Sequence, residues 1–256
     1  MKTATFNTNS VRARLPIILG WLAREQPDIL SIQETKVQDK DFPVKALEEA
    51  GYRAVFRGQK SYNGVAVLSR SPLEDVESRL EVRGVDEARF ISGRLGDVHV
   101  INVYVPQGFQ VGSDKFQFKL AWLEHLYDYI QARHAASAPL LVTGDFNVAC
   151  SALDVYDPET YRGEVGFHPD EQSRMEAFFD WGLVDIFRKH ISEGGYYTFW
   201  DYRIPNGFKR NMGWRIDYIL ATPSLAEKSR SVRIDREARA MNKPSDHTFL
   251  VVEFDE

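Results

Sequence analysis

What most constrains this chain is how its apolar segments end. TATFN (3–7), DILSIQE (28–34), VHVINVYV (98–105), LLVTGDF (140–146), WRIDYIL (214–220) and TFLVVEF (248–254) are short and rich in β-branched and aromatic residues, so they read as strands. Further strands are expected at 54–58, 64–70 and 88–95. Between some of them the apolar period changes. RLPIILGWLAREQ (14–26) has helical spacing, with Pro16 tolerable in a first turn. From Ser113 to Arg133, Phe116, Leu120, Leu123, Tyr127 and Ile130 form one helical stripe, and a shorter helix is expected over Glu171 to Trp181. Strands in hairpin-like pairs, with helices between others, predict a mixed α/β sandwich rather than a strictly alternating barrel. No linker, repeat or charge run divides the chain, so one continuous domain over 1–256 is the expectation.

Composition narrows the setting. With 43% hydrophobic and 27% charged residues, the chain has enough apolar surface for a sizeable core, and no apolar run is long enough to span a bilayer. Cys150 is the only cysteine, which excludes an internal disulfide and a cysteine-based zinc cluster and suits a reducing compartment. The opening MKTATFNTNS lacks the apolar core of a secretion signal, so a cytoplasmic protein is expected from a prokaryote and a nuclear one from a eukaryote. A net charge of −5 argues weakly against indiscriminate nucleic-acid binding but leaves room for a locally basic groove.

Several strands close on polar residues. Asn7 ends the first, Glu34 the second, and Asp145 with Asn147 ends LLVTGDFN. Tyr104 precedes a proline-containing loop, Asp217 interrupts WRIDYIL, and Asp246–His247 precedes the last strand. Singly, each has an ordinary reading as a turn former, cap or solvated residue. Together they describe a rim of carboxylates, amides, a phenol and an imidazole without thiolates. Hard oxygen donors suit Mg²⁺ or Mn²⁺, and a cation, an activated water and an imidazole beside a carboxylate are the parts needed to hydrolyse a phosphodiester. No serine sits in an elbow of the G-x-S-x-G type, which disfavours a serine hydrolase.

At these residues the sequence resembles the exonuclease III family of apurinic/apyrimidinic endonucleases, within the wider DNase I-like endonuclease/exonuclease/phosphatase group. FNTNSVRAR, PDILSIQETK, NGVAVLSR, NVYVPQG, LLVTGDFNVA, LDVYDP, WGLVDIFR, YTFWDYR, GWRIDY and PSDH carry the likeness in order along nearly the whole chain. The resemblance implies a four-layered α/β sandwich, two mixed sheets face to face with helices outside. It implies Glu34 as principal Mg²⁺ ligand, with Mn²⁺ as substitute, Asn7 nearby and Asp246 contributing. Asp145 would ready the attacking water, Asn147 would hold the phosphate or that water, and His247, oriented by Asp246 or Asp217, would donate to the scissile phosphate. Tyr104 would contact the phosphate or assist the leaving oxygen. Gln107 and Ser10 stand where some relatives carry Asn and Gly, which bears on DNA contacts rather than on hydrolysis.

The segment YYTFWDYRIPNGFKRNMGWRIDY (196–218) mixes aromatic and basic residues, with Arg203, Lys209, Arg210 and Arg215 and no acid from Tyr202 to Arg215. Inward-packed aromatics with solvated bases would explain it. Taken alone the segment slightly favours that reading; phosphate contacts beside an apolar slot are the alternative. By resemblance Phe199, Trp214 and Ile216 wall a pocket for a base-less deoxyribose, while Lys36, Tyr62, Gln107 and Arg12 contact the DNA backbone. The expected partner is duplex DNA with abasic sites or blocked 3′ ends, the expected protein a monomer with no membrane association. The competing readings are a phosphodiesterase or phosphatase for a non-DNA ester, against which the 196–218 segment argues, and a DNA-binding module without chemistry, against which the complete polar set argues.

Overall fold

Strand–helix–strand passages with parallel strands organise each half of the molecule. In a computed structural model, which describes residues 1–255, β1 (Lys2–Asn7) leads through α1 (Val11–Glu25) to β2 (Ile29–Gln33), and β1 and β2 pair in parallel. After α2 (Val44–Glu49), β3 (Arg53–Arg57) and β4 (Val65–Ser69) add antiparallel to β2. The second half repeats the device. β5 (Glu74–Glu77), β6 (Phe90–Leu95) and β7 (Val98–Tyr104) form a meander, and α3 (Asp114–Arg133) carries the chain to β8 (Leu140–Asp145), parallel to β7. The short α4 (Pro158–Tyr161), α5 (Pro169–Trp181), β9 (Val184–Asp185) and α6 (Ile186–His190) precede β10 (Asp217–Ala221). After α7 (Pro223–Ala226), the chain returns to the first sheet through β11 (Ser229–Asp235), α8 (Arg236–Ala240) and β12 (Phe249–Phe254). The two sheets run β11-β12-β1-β2-β4-β3 and β5-β6-β7-β8-β10-β9.

The burial pattern explains the layers. β1, β2, β4 and β8 are buried on both faces, as strands covered by a helix on one side and a sheet on the other must be. Between the sheets pack Val65, Val67, Ile91, Val100, Leu141, Ile219 and Val252. Outside the first sheet, Ile18, Trp21 and Leu22 of α1 cover Phe6, Ile32 and Phe249. Outside the second, Trp122, Leu123 and Ile130 of α3 and Phe178 of α5 cover Ile101, Val103 and Leu220. The expected four layers are therefore present. Polar pins cross the otherwise apolar inter-sheet layer: Thr143 Oγ1 donates to Ser31 Oγ at 2.7 Å, and Gln33 Nε2 donates to Asn102 Oδ1 at 2.6 Å. Buried hydrogen-bonded pairs of this kind penalise sliding of one sheet over the other, because a slip would leave both partners unsatisfied.

Differences from the sequence reading have local causes. α1 begins at Val11, where Ser10 Oγ accepts from the Ala13 N–H, so Pro16 lies in the second turn and removes one helical hydrogen bond there. The strand expected from Trp214 starts only at Asp217, since Trp214 instead makes isolated bridges to Val155 and Phe199. β5 and β11 are edge strands with mostly polar, solvent-facing residues, so they lack the apolar signature of their neighbours. Among the described residues no helix is long and apolar enough to cross a membrane.

Candidate active site

Strand direction brings the polar ends together. β1 and β2 run parallel and end at one rim; β12, antiparallel to β1, starts there. In the second sheet, Tyr104 of β7, Asp145 of β8 and Asp217 of β10 are in register across adjacent strands. Gly144, at φ +139°, allows β8 to close against β7, because a Cβ would run into the Val103 backbone.

Glu34, Asp145 and His247 each offer a ligand atom within 4.8 Å of the others. Asn7 Nδ2 donates to both Glu34 Oε1 and Asp145 Oδ2 at 2.8 Å, while Asn7 Oδ1 accepts from the Asn9 N–H at 3.0 Å. Asn7 thus spans the two sheets and presents its NH₂ group, not its oxygen, to the carboxylates. Asp246 lies beside this group rather than in it, accepting from Asn9 Nδ2 at 3.0 Å. His247 Nδ1 is 2.9 Å from Asp217 Oδ2, and its Nε2 lies 3.8 Å from Asp145 Oδ2. Lys36 Nζ rests 2.6 Å from Glu34 Oε2.

These neighbours set the protonation states. Burial raises the Asp145 carboxyl, against the opposing charge of His247, up to about 7. For His247 burial disfavours the imidazolium, but the Asp217 and Asp145 charges prevail and raise it to about 10. Burial also works against ionised Glu34, yet the Lys36 charge and the hydrogen bonds from Lys36 and Asn7 hold it below the usual carboxylate range. Tyr104 is pushed well above the ordinary phenol value by burial and by the Glu34 charge. At neutral pH this combines a carboxyl able to take a proton with a protonated imidazole and a protonated phenol.

Beside the polar group opens a cleft of about 710 Å³, lined among others by Phe199, Trp214, Ile216, Asn147, Gln107 and Gly166. Phe199 bridges to both Trp214 and His247, which ties the apolar wall to the polar rim. At Gly166 (φ +88°) a Cβ would stand 3.3 Å from the Trp214 ring, so the glycine lets its loop close on the indole.

Asn147 does not continue the strand. Its φ of +53° turns the chain, its N–H donates to Asp145 Oδ1 at 2.9 Å, and its Nδ2 donates to the Val105 carbonyl at 3.0 Å. Gln107 lies on the cleft, Arg12 is exposed on the first turn of α1, and Tyr62 is exposed in the loop between β3 and β4 without lining the cleft. Arg215 departs furthest from the basic-loop reading. It is fully buried, its Nε donating to Asp154 Oδ1 at 2.6 Å and its Nη2 ion-paired with Asp185 Oδ2 at 2.8 Å, so it is not available to a phosphate.

A buried pair escaped the sequence reading. Lys119 Nζ donates to the carbonyls of Asn147 at 2.7 Å and Gln107 at 3.2 Å and pairs with Glu171, both side chains being inaccessible. Glu171 Oε2 in turn accepts from the Gly166 N–H at 2.7 Å. One ion pair therefore ties together three loops that line the cleft. Its signal was present: Lys119 falls on the α3 stripe between Phe116 and Leu123, where an apolar residue is the norm.

Comparison with known proteins agrees with this geometry. Residues 4–247 match the endonuclease/exonuclease/phosphatase family. An exodeoxyribonuclease III from Haemophilus influenzae is 35% identical over 99% of this chain and 100% of its own. An AP endonuclease from Archaeoglobus fulgidus superposes with a TM-score of 0.97 at 44% identity, covering both chains completely. A 3′-5′ exonuclease from Neisseria meningitidis does so with a TM-score of 0.95 at 40% identity, again over both whole chains. The chain belongs to the endonuclease/exonuclease/phosphatase family and, within it, to the exodeoxyribonuclease III and AP endonuclease branch of DNA-repair nucleases.

Proposed function

We propose that this nuclease uses Mg²⁺ to hydrolyse the phosphodiester 5′ of an abasic nucleotide in duplex DNA, leaving a 3′-hydroxyl and a 5′ deoxyribose phosphate. At the same site it removes 3′ blocking groups and trims duplex DNA from the 3′ end, all within one domain. The observation that carries this reading is the Glu34–Asp145–His247 group standing against a cleft walled by Phe199, Trp214 and Ile216. The Phe199, Trp214 and Ile216 wall gives a sugar without its base an apolar face to pack on, while Asn147, Gln107 and Arg203 on the same cleft offer polar contacts to the DNA backbone.

The donor set fits a hard divalent cation: carboxylate oxygens predominate, thiolates are absent, and negative charge exceeds what Lys36 and His247 neutralise. Glu34, presented by Asn7, is the principal ligand. When bound, Mg²⁺ supplies positive charge to a phosphate oxygen and lowers the pKa of water. Asp145 accepts the proton of the attacking water, for which a value near 7 is well placed. His247, aligned by Asp217, donates from Nε2 to a phosphate oxygen as charge builds there. Tyr104, retaining its proton, donates to the phosphate or the leaving oxygen. Asn147, held by Asp145 and Val105, lines the position where the phosphate meets the cleft. Lys36, Gln107, Tyr62 and Arg12 contribute backbone contacts around it.

The test is a duplex with one synthetic abasic site, given Mg²⁺ or EDTA, beside an undamaged duplex and a 3′-phosphate end. Incision at the abasic site with Mg²⁺ and none with EDTA is expected. An intact abasic strand under Mg²⁺ would overturn the reading.

A further inference from the structure

Lys119 is buried at a cost that holding two helices together does not explain. It lies in the second turn of α3 with its side chain inaccessible, and its stem occupies the space that Gly108 leaves, where a Cβ would stand 3.1 Å from Lys119 Cδ. Burial holds its ammonium below the ordinary lysine range, against the charge of Glu171 on α5. Two apolar side chains would join α3 to α5 without that penalty.

What an apolar side chain could not do is donate. The Lys119 ammonium donates to the Asn147 carbonyl at 2.7 Å and to the Gln107 carbonyl at 3.2 Å. The demand arises at Asn147. β8 ends at Asp145, and Asn147 turns the chain at φ +53°, in the left-handed region that costs a residue with a Cβ unless its surroundings fix it. Its N–H is fixed by Asp145 Oδ1 at 2.9 Å and its Nδ2 by the Val105 carbonyl at 3.0 Å. Lys119 fixes the remaining main-chain group, and a bond from a charged donor is stronger than one between neutral partners. The turn cannot relax by rotating the Asn147–Val148 peptide without breaking that bond.

Resting on the function proposed above, we infer that Lys119 is a positioning residue for phosphodiester hydrolysis, fixing from beneath the cleft the left-handed turn that sets Asn147 beside Asp145. Without its donors the turn loosens, and with it both the Asn147 amide and the Asp145 carboxyl that accepts from the Asn147 N–H. The aromatic wall and Glu34 rest on other elements and stay in place. Asn147 and Asp145 serve internal and terminal cleavage alike, so both reactions share the dependence.

The test uses the full-length protein with Mg²⁺ and two substrates, a duplex with an internal abasic site and one with a 3′-phosphate end. Lys119→Met/Glu171→Gln keeps the stem without its donors and leaves no lone buried charge, while the new amide oxygen can still accept from the Gly166 N–H. Its active molecules are counted by titration with abasic duplex in EDTA. Per DNA-binding molecule, kcat should fall about 10- to 100-fold on both substrates, with KM within about twofold of wild type. Glu171→Gln alone keeps the Lys119 donors and should lower kcat less than about threefold. A double variant with wild-type kcat would overturn the inference, as would one whose lost activity equals its lost DNA-binding molecules. Glu171→Gln as impaired as the double variant would overturn it too. A wild-type protein that leaves the abasic strand intact would instead overturn the function proposed above.

Discussion

Two buried ionic clusters stand on either side of the cleft's aromatic wall, and their charge balance is opposite. Around Arg215, two acids (Asp154 and Asp185) meet two guanidiniums, Arg215 and Arg188. Asp154 is additionally bonded by the Ser151 N–H and hydroxyl, and its carbonyl accepts from the Arg215 N–H at 2.8 Å. At the rim, three carboxylates (Glu34, Asp145 and Asp217) share two ion-pair partners, Lys36 and His247. The first cluster is closed and holds the backbone between Trp214 and Ile216. The second keeps unmatched negative charge, which costs stability and leaves attraction for a cation and its phosphate. Burial of charge does not by itself mark a site. Incomplete neutralisation does.

The largest effect should come from the open cluster. Asp145→Asn removes the proton acceptor and should cut turnover by about 10²- to 10⁴-fold while DNA binding in EDTA persists. Because it also removes one of the three carboxylates that share Lys36 and His247, its melting temperature should change little. Near-normal turnover would show that another group readies the water, and a large loss of stability would erase the contrast between the clusters.

In the closed cluster the order of effects reverses. Asp154→Asn leaves Arg215 and Arg188 with Asp185 as their one remaining acid and should cost about 3–5 kcal/mol of unfolding free energy, measured by denaturant titration. Any catalytic loss should track the fraction unfolded at the assay temperature. A variant that keeps its stability while losing abasic incision would instead place Asp154 in the chemistry.

The subtlest test is the pH profile of stability in EDTA. The Arg215 and Arg188 charges, working against burial, hold the folded Asp154 carboxyl below its ordinary range. The unfolded chain then binds the extra proton first, so this stabilisation is complete above about pH 4 and fades as pH falls toward the lower folded value. Asp145 has the opposite sign. With its folded value near 7, the native state holds the extra proton, and stability falls as pH rises from the ordinary carboxylate range toward 7. Asp154→Asn should flatten the acid limb of the melting profile and Asp145→Asn the descent toward neutrality. Identical profiles in both variants would show that the clusters are not distinguished by charge balance.

Much of the site was legible before folding. Asn7, Glu34, Tyr104, Asp145, Asp217 and His247 do converge at one rim, because parallel crossovers oblige strand ends to share it. Their individual orientations were not legible. Extended geometry would have aligned Asn147 with Asp145, but β8 ends at Asp145 and the left-handed turn redirects the amide. Asn7 was expected near the metal and is found as a donor clamp between two carboxylates. Arg215 looked solvated within a basic loop, and its true partner Asp154 lies 61 residues away. Lys119 was hidden because helical periodicity reports which face is buried, not which charge that face can neutralise.

By itself the sequence determined a mixed α/β sandwich and the oxygen-rich strand ends, and its resemblance to a known family added the four layers. The first two follow from local periodicity and residue type, which act over a few residues. Only the tertiary structure decided which charges are closed and which remain open, and that a buried lysine of α3 reaches the turn after β8. Charge pairing depends on distances of a few ångströms between segments far apart in the chain, and no local pattern encodes those distances.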